Sequence, residues 1–190
     1  PQKYAGNVTM ALTISEQLNK FVSSYVEEAK SEGLKIVFDS EWPSPCYQEV
    51  VSDGDFVRWE PTVQTPKLSF DNVEEAMSLK LHPDYCSYFT AYYSDNLKAK
   101  APQGNCELLQ VFNQADFERL QQNLIGHLLM KQRLKQAPTL FFGLTDEEDF
   151  ILTIVNDSGE VALEQVGREP TKILAPSLAE FIAQLTPITT

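Results

Sequence analysis

Apolar residues return every three or four positions between Leu18 and Ala29, at Leu18, Phe21, Val22, Tyr25, Val26 and Ala29. That spacing predicts an amphipathic helix, opened by the capping box Thr13-Ile14-Ser15-Glu16 and stopped at Gly33. The pattern then breaks. Pro43, Pro45, Pro61 and Pro66 exclude a long helix, and Phe56-Val57-Arg58-Trp59, between Asp53-Gly54 and Pro61, reads as one strand in a loop-rich segment. Residues 73–81 suit a short helix. His82-Pro83 interrupts it before an aromatic group of Tyr85, Tyr88, Phe89, Tyr92 and Tyr93, where a second short helix or turn is expected. Residues 97–101 alternate, 102–105 turn, and 107–112 are apolar enough to be the partner strand of a hairpin.

Asn113 can cap a long helix whose apolar positions Phe117, Leu120, Leu124, Leu128 and Leu134 share one side. It ends before Pro138, with Lys131, Arg133 and Lys135 beside the negative end of its dipole. Gly126 within it costs about 1 kcal/mol relative to alanine, so a close approach of another backbone is expected there. Strand patterns over residues 139–144, 150–155, 160–166 and 171–174, with a turn at Asn156-Asp157-Ser158-Gly159, form an antiparallel meander. A second capping box, Ser177-Leu178-Ala179-Glu180, opens a short helix carrying Leu178, Phe181, Ile182 and Leu185 that stops before Pro187. The fold class is therefore α+β, a single domain with a mostly antiparallel sheet flanked by helices. Residues 1–9 are polar and aperiodic and are expected to be an extension outside the domain of residues 10–190.

Charge narrows the function. Fifteen Lys and Arg against twenty-seven Asp and Glu give −12, a sign that repels phosphate backbones and anionic lipid and attracts basic partners. Cys46, Cys86 and Cys106 are widely spaced and odd in number, which fits a reducing cytoplasm rather than a disulfide framework or zinc ribbon. No run is long and apolar enough for a membrane span, and no export signal is visible, so a cytoplasmic location is expected. Phosphate-cradling glycine loops and the common hydrolase and zinc-protease motifs are missing, and His82 and His127 lack a second metal ligand on the same helical face. No cofactor or metal is expected. The best enzyme case sets Cys46 against His127 and an acid such as Asp116; a packed cysteine and a hydrogen-bonded core histidine are the weightier readings. Trp42 and Trp59 suit either a binding groove or, with more weight, the core. The acidic run Asp146-Glu147-Glu148-Asp149 reads as a solvated turn that could also belong to a binding face.

Several motifs occur in one register: Ser44-Pro45-Cys46, Trp59-x-Pro61, Asp116-Phe117-x-Arg119-Leu120-Gln121-x-Asn123-Leu124-Ile125-Gly126-His127-Leu128, Pro138-Thr139-Leu140-Phe141, Asn156-x-Ser158-Gly159-Glu160-Val161 and Leu178-Ala179-Glu180-Phe181. From about Met10 to Pro187 the chain closely resembles the Syd family of SecY-interacting proteins. The resemblance implies a small α+β protein of an immunity-type superfamily, without catalytic activity. It would sit peripherally on the cytoplasmic face of the inner membrane by binding the translocon subunit SecY, and monitor or restrain SecY that is incompletely assembled. Basic cytoplasmic loops of SecY would meet an acidic face. The candidate partner-binding residues are Trp59, Glu60, Glu74, Asp116, Asp146, Glu147 and Glu160. Two alternatives stand beside this: an immunity protein that binds a basic toxin, and a cysteine-dependent enzyme.

Overall fold

A computed structural model describes residues 12–189; the expected extension at residues 1–9 lies outside the described residues. Helix α1 (Ile14–Glu28) starts where the Thr13 hydroxyl accepts the Glu16 amide at 3.2 Å, and a 3-10 turn (Lys30–Glu32) leads to Gly33. Strands β1 (Leu34–Val37) and β2 (Phe56–Trp59) then form a small antiparallel sheet. A second small sheet joins β3 (Thr62–Val63) to β4 (Tyr92–Tyr93). Between these two strands lie α2 (Asp71–Met77) and α3 (Pro83–Phe89), the latter capped by His82.

The main sheet is entirely antiparallel. It contains β5 (Leu97–Ala101), β6 (Gly104–Leu108), β7 (Thr139–Thr145), β8 (Phe150–Val155), β9 (Val161–Gln165), β10 (Pro170–Ala175) and β11 (Thr186–Pro187), in the order β10-β9-β8-β7-β6-β5-β11. Helix α4 (Gln114–Arg133) joins β6 to β7, and α5 (Leu178–Ala183), capped by Ser177, joins β10 to β11. Neighbouring residues of β7 send their rings to opposite sides. Phe141 meets His127 of α4 at 5.5 Å, whereas Phe142 meets Tyr88 of α3 at 5.9 Å and Phe181 of α5 at 5.8 Å. The sheet is thus covered by α4 on one face and by α3 and α5 on the other, with α1 packed on both of those helices.

Asn156 ties the meander to the shorter helices. Its side-chain oxygen accepts the His82 amide and its nitrogen donates to the Lys80 carbonyl, both at 2.9 Å. Gly159 follows in the same turn at φ +79°, where an added Cβ would come within 2.5 Å of the His82 ring. Left-handed backbone and this close approach together account for glycine in the Asn156-x-Ser158-Gly159 motif.

Four expectations are corrected. The segment of residues 34–70 contains three strands rather than one: β3 is only two residues long, and β1, as short as β2, lacks the aromatic residues that marked β2. The hairpin partner of β5 is Gly104–Leu108, earlier than the expected 107–112; Leu109 still donates its amide to the Phe142 carbonyl of β7 at 2.9 Å, and residues 110–112 continue past the strand. Leu134 is 45% exposed, beyond the end of α4 and off its packed stripe. Gly126 meets no close backbone either: among the described residues a Cβ there would have nothing within 4 Å. Its cost is then helix propensity alone, so Gly126→Ala is expected to stabilise the fold by about 1 kcal/mol in urea unfolding.

Lys131 departs furthest from a solvated, dipole-facing lysine. It is 1% exposed, and its ammonium lies 2.8 Å from the carboxylate of Glu164 on β9, itself 0% exposed. Lys131 also donates to Gln136 Oε1 at 3.0 Å and the Arg168 carbonyl at 2.8 Å, while Glu164 accepts the hydroxyls of Thr139 at 3.1 Å and Thr153 at 3.3 Å. Both charges have their partners, and removing Lys131 leaves the Glu164 carboxylate with His127, 3.9 Å away, as its one nearby basic group among the described residues. Lys131→Met is expected to cost about 3–5 kcal/mol in urea unfolding. Lys131→Met with Glu164→Gln, which keeps an acceptor oxygen for one threonine hydroxyl and offers an amide donor to the other without the charge, is expected to recover much of that loss.

Candidate partner-binding groove

The start of α4 is pinned to the loop around Trp42 by short polar contacts. Asn113 caps the helix by accepting the Asp116 amide at 2.8 Å, and its own amide donates to the Pro43 carbonyl at 2.8 Å. Asp116 accepts the Phe112 amide at 2.8 Å, and the Ser44 hydroxyl donates to the Phe112 carbonyl at 2.6 Å. Asp116, Arg119 and Asn123, three and four residues apart, share one flank of the helix. Together with β1 and residues 109–112 they enclose a groove of about 440 Å³. Its wall carries Ile36, Val37, Trp42 and Tyr47; the Arg119 guanidinium stands 4.9 Å from the Trp42 ring centre, and Tyr47 packs edge-on against Phe112 at 5.3 Å.

Three carboxylates line this groove, Asp39, Asp95 and Asp116, against one cation, Arg119. Arg119 is partly engaged by Trp42, leaving an acidic hollow with an aromatic side. A second hollow of about 320 Å³ adjoins it through Asp95 and Asn96 and carries Leu34, Lys35 and Lys98. Gln110 adds an unusual element: it lines the groove at 6% exposure, and neither polar atom of its side chain has a hydrogen-bond partner among the described residues. The Tyr88 hydroxyl donates to the Leu109 carbonyl at 2.7 Å and keeps an acceptor lone pair near the Gln110 amide. A buried unpaired amide costs free energy that a bound donor or acceptor would return.

Burial raises the Asp95 carboxyl above its ordinary range, the Glu107 and Asp116 carboxylates add to that, and the Asn96 amide and Lys98 oppose it. A carboxyl with a raised folded-state pKa destabilises the fold in its ionised form; that penalty is complete above the folded pKa and fades as pH falls through it. Asp95→Asn is therefore expected to raise the urea midpoint at about pH 7, with the gain shrinking towards about pH 4. A gain independent of pH would place its origin elsewhere.

The seven residues chosen from sequence do not gather in one place. Asp116 lies on the groove. Trp59 is 3% exposed, packed in the core where it also lines the adjoining hollow, because alternation along β2 turns Val57 and Trp59 inward and Phe56 and Arg58 outward. Glu60 is exposed just after β2. Glu74 accepts the Leu81 amide at 2.9 Å and pairs with Lys80 at 3.6 Å, so it closes the α2–α3 connection. Asp146 and Glu147 are exposed in the β7–β8 turn beside Gly104, the end of β6 away from the groove. Glu160 donates its amide to Ser158 in the β8–β9 turn. The groove residues missed from sequence are Asp39 and Asp95, which carried no motif, and Arg119 and Asn123, which stood in the long-helix motif without an assigned role. Trp42 lines the groove together with Tyr47, Phe112 and Phe141.

Cys46 and His127 occupy separate surroundings. Burial pushes the Cys46 thiol up to about 11, against the hydrogen bonds of Ser44 and Thr62, the reverse of an activated nucleophile. His127 lies 3.0 Å from the Thr139 hydroxyl, and burial lowers its pKa, with Glu164 opposing. No hydrogen bond joins the two among the described residues. Among those residues no cluster of His, Cys, Asp and Glu is placed to hold a metal, and no helix is long and apolar enough to cross a membrane.

Comparison with known proteins agrees with the sequence motifs. The model of the family described as Syd protein (SUKH-2) matches residues 15–187. A protein named Protein Syd from Alteromonas mediterranea is 79% identical over 179 residues, 94% of this chain and 99% of that relative. Proteins of the same name from Pseudoalteromonas atlantica and Colwellia psychrerythraea are 42% identical over 185 residues (95% of this chain, 100% of that relative) and 43% identical over 187 residues (92% of each chain).

Proposed function

The chain belongs to the Syd family, and on that premise we propose that it is a non-enzymatic binding protein that takes basic cytoplasmic segments of the translocon subunit SecY into the groove beside α4. In this role it monitors or restrains incompletely assembled SecY and attaches to the inner membrane through that protein rather than through lipid. The observation that carries the reading is the groove itself: Asp39, Asp95 and Asp116 converge there against Arg119 alone, on a chain of net charge −12. Complementary charge chiefly speeds encounter and selects the partner, and an aromatic side gives a docked segment apolar surface to cover.

The raised Cys46 thiol supports binding rather than thiol chemistry, so Cys46→Ala is expected to leave partner capture unchanged. The decisive measurement is affinity capture from solubilised inner membranes with the parent and with Asp39→Lys and Asp95→Lys, each checked for fold by circular dichroism. SecY is expected with the parent, with association at least about tenfold slower in the variants and slowed in the parent as salt rises from about 50 to about 500 mM. Equal association by all three, insensitive to salt, refutes the acidic-groove mechanism. Recovery of a basic soluble toxin instead of the translocon favours the immunity reading.

A further inference from the structure

A sheet edge normally carries protection against pairing with another chain: a proline, a bulge, or very short length. The main sheet follows this practice. Its β10 edge begins at Pro170 and has two register shifts, and its β11 edge is two residues long and ends in Pro187. Strand β1 does not. It pairs with β2 alone, in unbroken register over four residues, and contains no proline.

The direction of its unpaired groups follows from one hydrogen bond. Phe38 donates its amide to the Asp55 carbonyl at 2.8 Å, towards the β2 side. In an antiparallel pair, inward and outward backbone groups alternate, so Ile36 also faces β2 while the N–H and C=O of Lys35 and Val37 face away. Among the described residues no backbone hydrogen bond satisfies them from the outer side. The free edge borders the two adjoining hollows: Val37, 50% exposed, lines the acidic groove, and Lys35 lines its neighbour.

We infer that the partner binds by strand addition: an extended, basic segment lies along the outer edge of β1 and pairs with the backbone of Lys35 and Val37. This rests on the proposed SecY reading and specifies the partner's conformation. An added strand needs its neighbour's free N–H and C=O groups, and side-chain alternation sends its residues in turn to the two sides. Lys or Arg on one side would reach Asp95, where the hollows meet, and Asp39, beyond the end of β1. The same carboxylates disfavour a second copy of this chain, whose charge is −12, as the occupant.

The test uses synthetic peptides spanning the basic cytoplasmic loops of SecY and residue-resolved amide hydrogen exchange of the full chain. A bound peptide is expected to slow exchange at Lys35 and Val37 at least about tenfold while leaving Ile36, already paired with β2, little changed. Peptides N-methylated at alternate residues are expected to separate into a set that loses binding and a set, offset by one residue, that keeps it. Val37→Pro removes an outward donor at an edge position where proline is tolerated, and is expected to weaken binding at least about tenfold with little change in the urea midpoint. A peptide that binds without slowing exchange at Lys35 and Val37, and with equal loss from both methylated sets, overturns strand addition while the groove reading stands. Failure of every loop peptide and of intact SecY to bind removes the groove reading, and strand addition falls with it.

Discussion

The ion pair between Lys131 and Glu164 sets where α4 lies, and the groove depends on α4. Removing two charges from water costs several kcal/mol for each ion, offset here by direct contact at 2.8 Å and by hydrogen bonds that use the remaining donors and acceptors. Apolar packing alone tolerates small rotations of a helix on a sheet. A buried ammonium that must meet a carboxylate on β9, a side chain at Gln136 and a carbonyl at Arg168 tolerates far less. At about 100° per residue, fixing Lys131 and the stripe of Leu120, Leu124 and Leu128 also fixes the flank that carries Asp116, Arg119 and Asn123.

The groove is held open by a different set of contacts, and they act at its rim. Asn113, Asp116 and Ser44 use their polar atoms on backbone groups of residues 43, 112 and 116, so the loop bearing Trp42 is fastened to the helix terminus. Asp116 serves both purposes: one carboxylate oxygen holds the Phe112 amide, and its charge contributes to the field in the groove. Asp95 has no such structural return. It sits partly buried near Glu107 and Asp116, with its carboxyl raised above its usual range, and the unpartnered amide of Gln110 lines the same hollow. Stability is given up here in two places at once, which supports the proposed binding role of the groove.

Local features of the chain were legible because their causes are local. N-caps at Thr13, Ser177 and Asn113 place three helix starts, since a side chain reaching an amide two or three residues on needs no tertiary partner. The apolar stripe of α4 and the meander after Pro138 follow from periods of 3.6 and 2. The long-helix and Asn156 motifs also carried the family, and in the fold they are the residues that line the groove and clamp the turns.

What only the tertiary structure decided lies at longer range. Lys131 reads as a terminal surface lysine until Glu164, 33 positions later, is brought beneath it by the meander. Gly126 suggests a close contact, and whether a neighbour stands over that face is set by the path of other segments. Trp42 and Trp59 are alike in sequence; one lines the groove and the other fills the core because β2 pairs with β1 and turns Trp59 inward. Asp39, Asp95 and Asp116 come from three different connections, and their convergence results from packing the small sheet, the main sheet and α4 together. Backbone periodicity and caps are short-range and were therefore written in the order of residues; a site built from side chains dozens of positions apart exists only once the core has brought those segments into contact.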